Sequence, residues 1–177
     1  MTDGESRVLG EGRFLRLVDN DGWEHCERKK GSGVVAIVPL TDHGSVILIE
    51  QHRPAVQANV IEIPAGLVGD DTGSEHEPML DAARRELLEE TGYTASDWLL
   101  VTEGPSSAGM STEQITVYIA SGLTRVAEGG GVHNEDIAVF DVPIGEAEHW
   151  LDQKRQEGAQ VDLKVYLALY YAVRFTA

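Results

Sequence analysis

The chain has 177 residues, 42% of them hydrophobic and 25% charged, with a formal net charge of -16. This length suits one domain or a domain with a small appendage, and the composition excludes a disordered chain. So acidic a surface repels phosphate backbones, which argues against a nucleic-acid partner, and an anionic small substrate would need cations to mediate its binding.

The first residues, MTDGESRVLG, have no cationic start and no apolar run, so no secretory signal is expected. Two strands follow, over 12–18 (GRFLRLV) and 23–29 (WEHCERK). Between them DNDG supplies turn chemistry, because Asp, Asn and Gly tolerate the left-handed region. This hairpin sets a provisional boundary, 1–31 against 32–177. A calcium loop around the acidic turn fails on spacing: its first and twelfth ligand positions fall on Leu17 and Arg28. Cys26 is the single cysteine and cannot form an internal disulfide, which favours a reducing compartment.

VVAIVPL (34–40) and SVILIEQ (45–51) read as buried strands of a mixed sheet, separated by TDHG. VIEIPAG (60–66) is a short strand ended by Pro64 and Gly66, and a polar stretch, LVGDDTGSEHE, comes next. A helix is expected from Pro78 to Glu90, because proline suits a first turn and Gly92 suits the stop. Strands are expected over 98–102, 114–120 and 137–142, with EGPSSAGMST and the glycine-rich AEGGGVHNED as loops. Helices over 145–156 and 161–174 close the chain. The apolar run VYLALYYAVRF in the last helix is shorter than the ~18 residues of a membrane span. The order implies an α/β or α+β fold, with a mixed sheet between helices, in a cytoplasmic protein that does not cross a membrane.

The stretch RRELLEETGY concentrates charge. Glu86, Glu89 and Glu90 stand at i, i+3 and i+4, on one helix face, while Leu80, Ala83 and Leu87 form a stripe that can pack on the sheet. Like charges at this spacing oppose the helix by roughly 0.2–0.5 kcal/mol each. The dipole of the last turn opposes them as well. A solvated acidic face is one reading. The other is a divalent cation: hard carboxylate oxygens suit Mg²⁺ or Mn²⁺, which bridge carboxylates to substrate phosphates. His43, His52, His76 and His133 make no zinc spacing with cysteine.

Glu77, seven residues, then Arg85-Glu86-Leu87-Leu88-Glu89-Glu90-Thr91-Gly92-Tyr93 resembles the Nudix hydrolase box. Gly66 in IPAGL would be the box glycine, although ten residues rather than the usual five separate it from Glu77, so the loop over 67–76 is enlarged. The resemblance covers most of the chain and implies an α/β/α sandwich. GVVAIVPL, VILIEQHRPAV, VIEIPAGL and EDIAVFDVP resemble the branch that hydrolyses ADP-ribose and other nucleoside diphosphate sugars. ADP-ribose enzymes typically carry a proline about sixteen residues beyond the last box glycine; Ala108 stands there, with Pro105 nearby.

The resemblance implies metal-dependent hydrolysis of a pyrophosphate bond, with ADP-ribose, giving AMP and ribose 5-phosphate, as the leading substrate. GDP-mannose or another nucleoside diphosphate linked to X is the alternative, as is a sensor that binds without turnover. It implies Mg²⁺ or Mn²⁺ held by Glu86, Glu89, Glu90 and the Ala65 carbonyl. Arg53 would hold phosphate, with Trp23, Glu62 and Ser107 as further substrate contacts. Trp23 would stack on the base from an N-terminal hairpin that reaches across a homodimer. The general base is a box glutamate or, as in the dimeric branch, a distal-loop glutamate that resembles Glu135, with Asp136 and Glu128 as alternatives.

Overall fold

The computed structural model describes residues 6–31, 33–69, 76–132 and 136–176. The chain opens with an antiparallel sheet of three strands: β1 (Ser6–Glu11), β2 (Leu15–Asn20) and β3 (Trp23–Arg28). The hairpin expected from sequence is β2 and β3. Its turn uses left-handed backbone at Asp21 and Gly22, and the Gly22 amide donates to Asp19 Oδ1 at 2.7 Å. β1 escaped the sequence reading because every residue of it is exposed, which leaves no in-and-out alternation to detect.

The body is built from β4 (Gly33–Pro39), β5 (Ser45–Arg53), β6 (Ala58–Glu62), β7 (Ala65–Val68), β8 (Tyr93–Pro105), β9 (Gln114–Arg125), β10 (Ala138–Pro143) and β11 (Gln160–Val161). They form two four-stranded sheets, in the orders β7-β4-β9-β8 and β10-β5-β6-β11. Both are mixed: β4 runs parallel to β9 and β6 parallel to β11, and the other pairs are antiparallel. Among the described residues, three helices complete the fold: α1 (Met79–Thr91), α2 (Ala147–Gln156) and α3 (Leu163–Thr176). None of the described helices is long and apolar enough to cross a membrane.

Period-two alternation divides the core. On β4, Ala36 and Val38 face one side and pack with Leu48, Ile61, Ile63, Val117 and Ile119, and with Leu151 of α2 and Val165 of α3. Val35 and Ile37 face the other side and pack with Ala82, Ala83 and Leu87 of α1. The apolar stripe of α1 therefore runs through Ala82, Ala83 and Leu87, with Met79 beside it, whereas Leu80 is only half-buried. Leu87 is fully buried, and truncating it to alanine would cost about 2–5 kcal/mol.

Two departures from the sequence reading have clear causes. β8 begins at Tyr93, well ahead of the expected 98–102. Among the described strands it is an edge strand, bonded only to β9, and its first half is polar and largely exposed, so hydrophobicity conceals it. The run 60–66 is two strands, because Ile63 and Pro64 carry the chain from the β5–β6 sheet to the β4–β7 sheet. The Pro64 carbonyl accepts from the Ile37 amide at 2.8 Å, which fixes that crossing. It also places Ala65 and Gly66 over the last turns of α1.

Candidate active site

The site grows from the end of α1 and the start of β7. The Ala65 amide donates to Glu90 Oε2 at 3.0 Å, and Glu90 is only 4% exposed. Glu86 lies one turn earlier, with its carboxylate where a Cβ on Gly66 would have to be. Only glycine leaves that volume to the carboxylate.

Arg85 organises the outer side of the cluster. Its Nη1 donates to Glu86 Oε1 at 2.8 Å and to Glu89 Oε2 at 3.2 Å. Its Nε and Nη2 donate to the two oxygens of Glu77 at 3.1 and 3.2 Å, and Nη2 also reaches the Leu67 carbonyl at 3.1 Å. This fork geometry is available to arginine and not to lysine. The hydrogen bond from Arg85 holds the Glu77 carboxyl below its ordinary range, with partial burial opposing it. Glu77 in turn raises the Arg85 guanidinium, with Glu86 adding to the effect.

Among the described residues, no three His, Cys, Asp or Glu side chains converge closely enough to hold a metal ion as they stand. The reason is visible: Glu86 and Glu89 turn towards Arg85, and one oxygen of Glu90 is taken by an amide. The donors themselves are hard oxygens, and Glu86, Glu90 and Ala65 line one cavity. That chemistry fits a hard divalent cation.

The cavity holds about 400 Å³. Carboxylates line it through Glu62, Glu86, Glu90 and Glu113, and cations through Arg28, Arg53 and Lys164, with Gln51 among them. The cations are held by carboxylates: Arg53 Nε donates to Glu62 Oε2 at 2.7 Å, Arg28 Nε to Glu113 Oε2 at 2.6 Å, and Lys164 Nζ to Asp162 Oδ2 at 2.6 Å. An acidic protein thus presents three cationic side chains around one concave space, a setting for a diphosphate.

The structure brings Ala65, Arg53, Glu62, Glu86 and Glu90 to this cavity. Glu89 stands on the same turn but faces Arg85. Trp23 is 63% exposed, outside the cavity lining, with its indole N–H on the Gly109 carbonyl at 3.2 Å. Ser107 is exposed in a turn, where its carbonyl accepts from the Met110 and Ser111 amides. Glu135 lies outside the described residues, whereas Asp136 and Glu128 are exposed. Sequence reasoning missed Arg28, Gln51, Glu113 and Lys164. Arg28 and Glu113 stand 85 positions apart, and nothing local marks them as a pair. Lys164 occupies the first turn of an apolar helix, where a cation opposes the dipole, and that was the available signal.

Comparison with known proteins bears on the family and the fold. The sequence pattern of the NUDIX domain matches residues 29–162. An ADP-ribose pyrophosphatase of Mycobacterium tuberculosis is 39% identical over 116 residues, a match spanning 65% of this chain and 54% of that protein. A GDP-mannose pyrophosphatase of Cronobacter sakazakii is 37% identical over 150 residues, spanning 80% of this chain and 73% of that protein. The crystal structure of an ADP compounds hydrolase superposes with a TM-score of 0.70 at 20% identity, over 96% of this chain and 90% of that chain, which shows a shared fold. A mixed α/β body, a carboxylate-bearing helix set beneath a glycine and a domain match over most of the length lead to one conclusion: the chain belongs to the Nudix family.

Proposed function

We propose that the chain is a divalent-metal-dependent pyrophosphohydrolase of nucleoside diphosphate sugars, with ADP-ribose, cleaved to AMP and ribose 5-phosphate, as its leading substrate. One observation carries this reading: buried or half-buried carboxylates of α1 and the paired cations Arg28, Arg53 and Lys164 line the same cavity. Neither group alone would suit a diphosphate. Carboxylates alone repel it, and cations alone would hold it without supplying a seat for a metal.

Glu86, Glu89, Glu90 and the Ala65 carbonyl are the groups that would hold the ion, Mg²⁺ or Mn²⁺. When bound, the ion neutralises phosphate charge and lowers the pKa of its water. Arg53 would turn its free N–H groups to a phosphate while Glu62, 6% exposed, holds the guanidinium in place. Arg85 bridges Glu77, Glu86 and Glu89 and offsets their mutual repulsion. A carboxylate within hydrogen-bond reach of the attacking water takes its proton; Glu135 fills this role, with a box glutamate as the alternative. The GDP-mannose pyrophosphatase among the relatives supports a second substrate, GDP-mannose, for the same site.

We read residues 1–31 as a dimerisation element and the chain as a homodimer of the cytoplasm. Val8, Phe14, Leu15, Leu17 and Trp23 expose apolar surface on and beside the N-terminal sheet, which supports a covering partner. Trp23 would then offer its ring to the base of a substrate in the partner's site.

A panel of ADP-ribose, GDP-mannose, ADP-glucose and UDP-glucose, each with Mg²⁺ or Mn²⁺, tests the reading. The expected result is a nucleoside monophosphate and a sugar phosphate, from ADP-ribose first. Absence of any monophosphate across the panel would refute it.

A further inference from the structure

The acidic end of α1 raises an electrostatic question that Arg85 answers only in part. The helix dipole disfavours negative charge in a last turn, and no basic residue stands in this one. The structure supplies backbone donors instead. The Gly130 amide donates to the Glu90 carbonyl at 2.9 Å, and the Gly131 amide to the Glu89 carbonyl at 3.0 Å. The Gly92 amide closes on the Leu88 carbonyl at 2.9 Å, and the Val126 and Ala127 amides both donate to the Gly92 carbonyl, at 2.9 and 3.1 Å. The last carbonyls of a helix lack partners of the ordinary helical kind and need another donor. Here the segment after β9 covers them, and two of its donors go to the peptide groups of the glutamates themselves.

The fit is close because glycine meets glycine. Gly129 has φ +76°, and a Cβ there would collide with the Thr91 carbonyl carbon and lie 2.6 Å from the Gly92 nitrogen. A Cβ on Gly92 would strike the Ala127 carbonyl oxygen and lie 2.8 Å from the Gly129 nitrogen. Neither neighbour is a flexible side chain that could move aside.

We propose that residues 126–131 are a positioning element for the box carboxylates: their peptide N–H groups fix the backbone from which Glu89 and Glu90 project, and so set the geometry that a divalent ion meets. The proposal rests on the reading of Glu86, Glu89 and Glu90 as the seat of that ion. It adds that the seat depends on a segment that contributes no ligand to it.

The test measures Mn²⁺ binding to the substrate-free protein by calorimetry, beside kcat and KM for ADP-ribose. Gly129→Ala is expected to weaken Mn²⁺ binding by about tenfold or more, the usual scale for supporting groups around a metal. It should lower kcat while leaving KM close to the wild-type value. Gly158→Ala is the control. That glycine has φ +100° and, among the described residues, nothing within 4 Å of its would-be Cβ, so the variant carries backbone strain outside the cavity lining and should lose melting temperature alone. If Gly129→Ala does not fold, Gly130→Ala gives the same measurement: among the described residues its Cβ would meet only the Ile137 carbonyl at 3.7 Å, so the perturbation comes from a φ of +106°. Glycine variants with wild-type Mn²⁺ affinity and a lower melting temperature would overturn the proposal. If Glu89→Gln abolishes Mn²⁺ binding while the glycine variants retain it, the metal seat stands and the positioning role falls. A wild-type protein that binds no Mn²⁺ defeats both.

Discussion

Ala65 and Glu90 are joined by a 3.0 Å hydrogen bond from the amide of the first residue of β7 to a carboxylate oxygen of α1. The bond ties the strand that would supply a backbone ligand to the helix that would supply three side-chain ligands. It also gives a way to separate chemistry from stability. Glu90→Gln keeps an acceptor for the Ala65 amide but loses the charge. Glu90→Gln and Glu89→Gln should each lower kcat on the order of 10³, the equivalent of several kcal/mol of metal-borne stabilisation. Normal turnover in both would remove the metal-cluster assignment.

Arg85 holds Glu77, Glu86 and Glu89 together at distances of 2.8 to 3.2 Å. Arg85→Ala leaves three carboxylates facing one another, 13% to 29% exposed in their side chains. The expected loss is about 1–3 kcal/mol in denaturant unfolding, reduced from the fully buried case by the partial exposure. Arg85→Lys should recover little of it, because a lysine cannot reproduce the fork. Full recovery by lysine would show that charge alone matters there.

Glu77 gives the pH dependence a sign. Its folded pKa lies below the ordinary 4.5 because Arg85 bonds the ionised form. The stabilisation is therefore present above pH 4.5 and is lost as the pH falls through the folded value. Melting temperatures recorded from pH 6 down to about pH 3 should fall more steeply for the wild type than for Glu77→Gln. Parallel curves would show that the pair contributes nothing to folding.

Arg53→Ala should raise KM for ADP-ribose by about tenfold, the scale of one charge-assisted contact to phosphate. It also strands Glu62, a buried carboxylate, so melting temperature should fall alongside. An unchanged KM would make the Arg53–Glu62 pair a structural element only.

Glu135→Gln tests the distal-loop base. If Glu135 takes the proton, kcat should fall by about 10²–10⁴, with Mn²⁺ binding retained. A fall smaller than about tenfold would move the base elsewhere, to a box glutamate, Asp136 or Glu128.

Much of this was legible in the chain itself. The spacing of Glu86, Glu89 and Glu90 needs only helix periodicity to be read, and Gly92 marks the stop. β4 and β5 announce themselves because they are buried on both faces, so their apolar runs are continuous. What stayed hidden depends on pairing at a distance. Arg28 and Glu113 meet because β3 lies against residues 110–112, where the Cys26 amide takes the Met110 carbonyl at 2.8 Å. No local pattern encodes that contact. The first half of β8 is concealed because an edge strand facing solvent has no need of apolar residues. Which oxygens Arg85 takes depends on the position of β7 and Glu77, which no local pattern sets.

Gly66 has a consequence for any survey of tolerated substitutions. It reacts with nothing, yet the Glu86 carboxylate occupies the volume that any other residue's first side-chain atom would claim. A library screened for turnover would therefore rank this silent position beside the glutamates, and a reader scoring intolerance alone would mistake an excluded volume for a reagent.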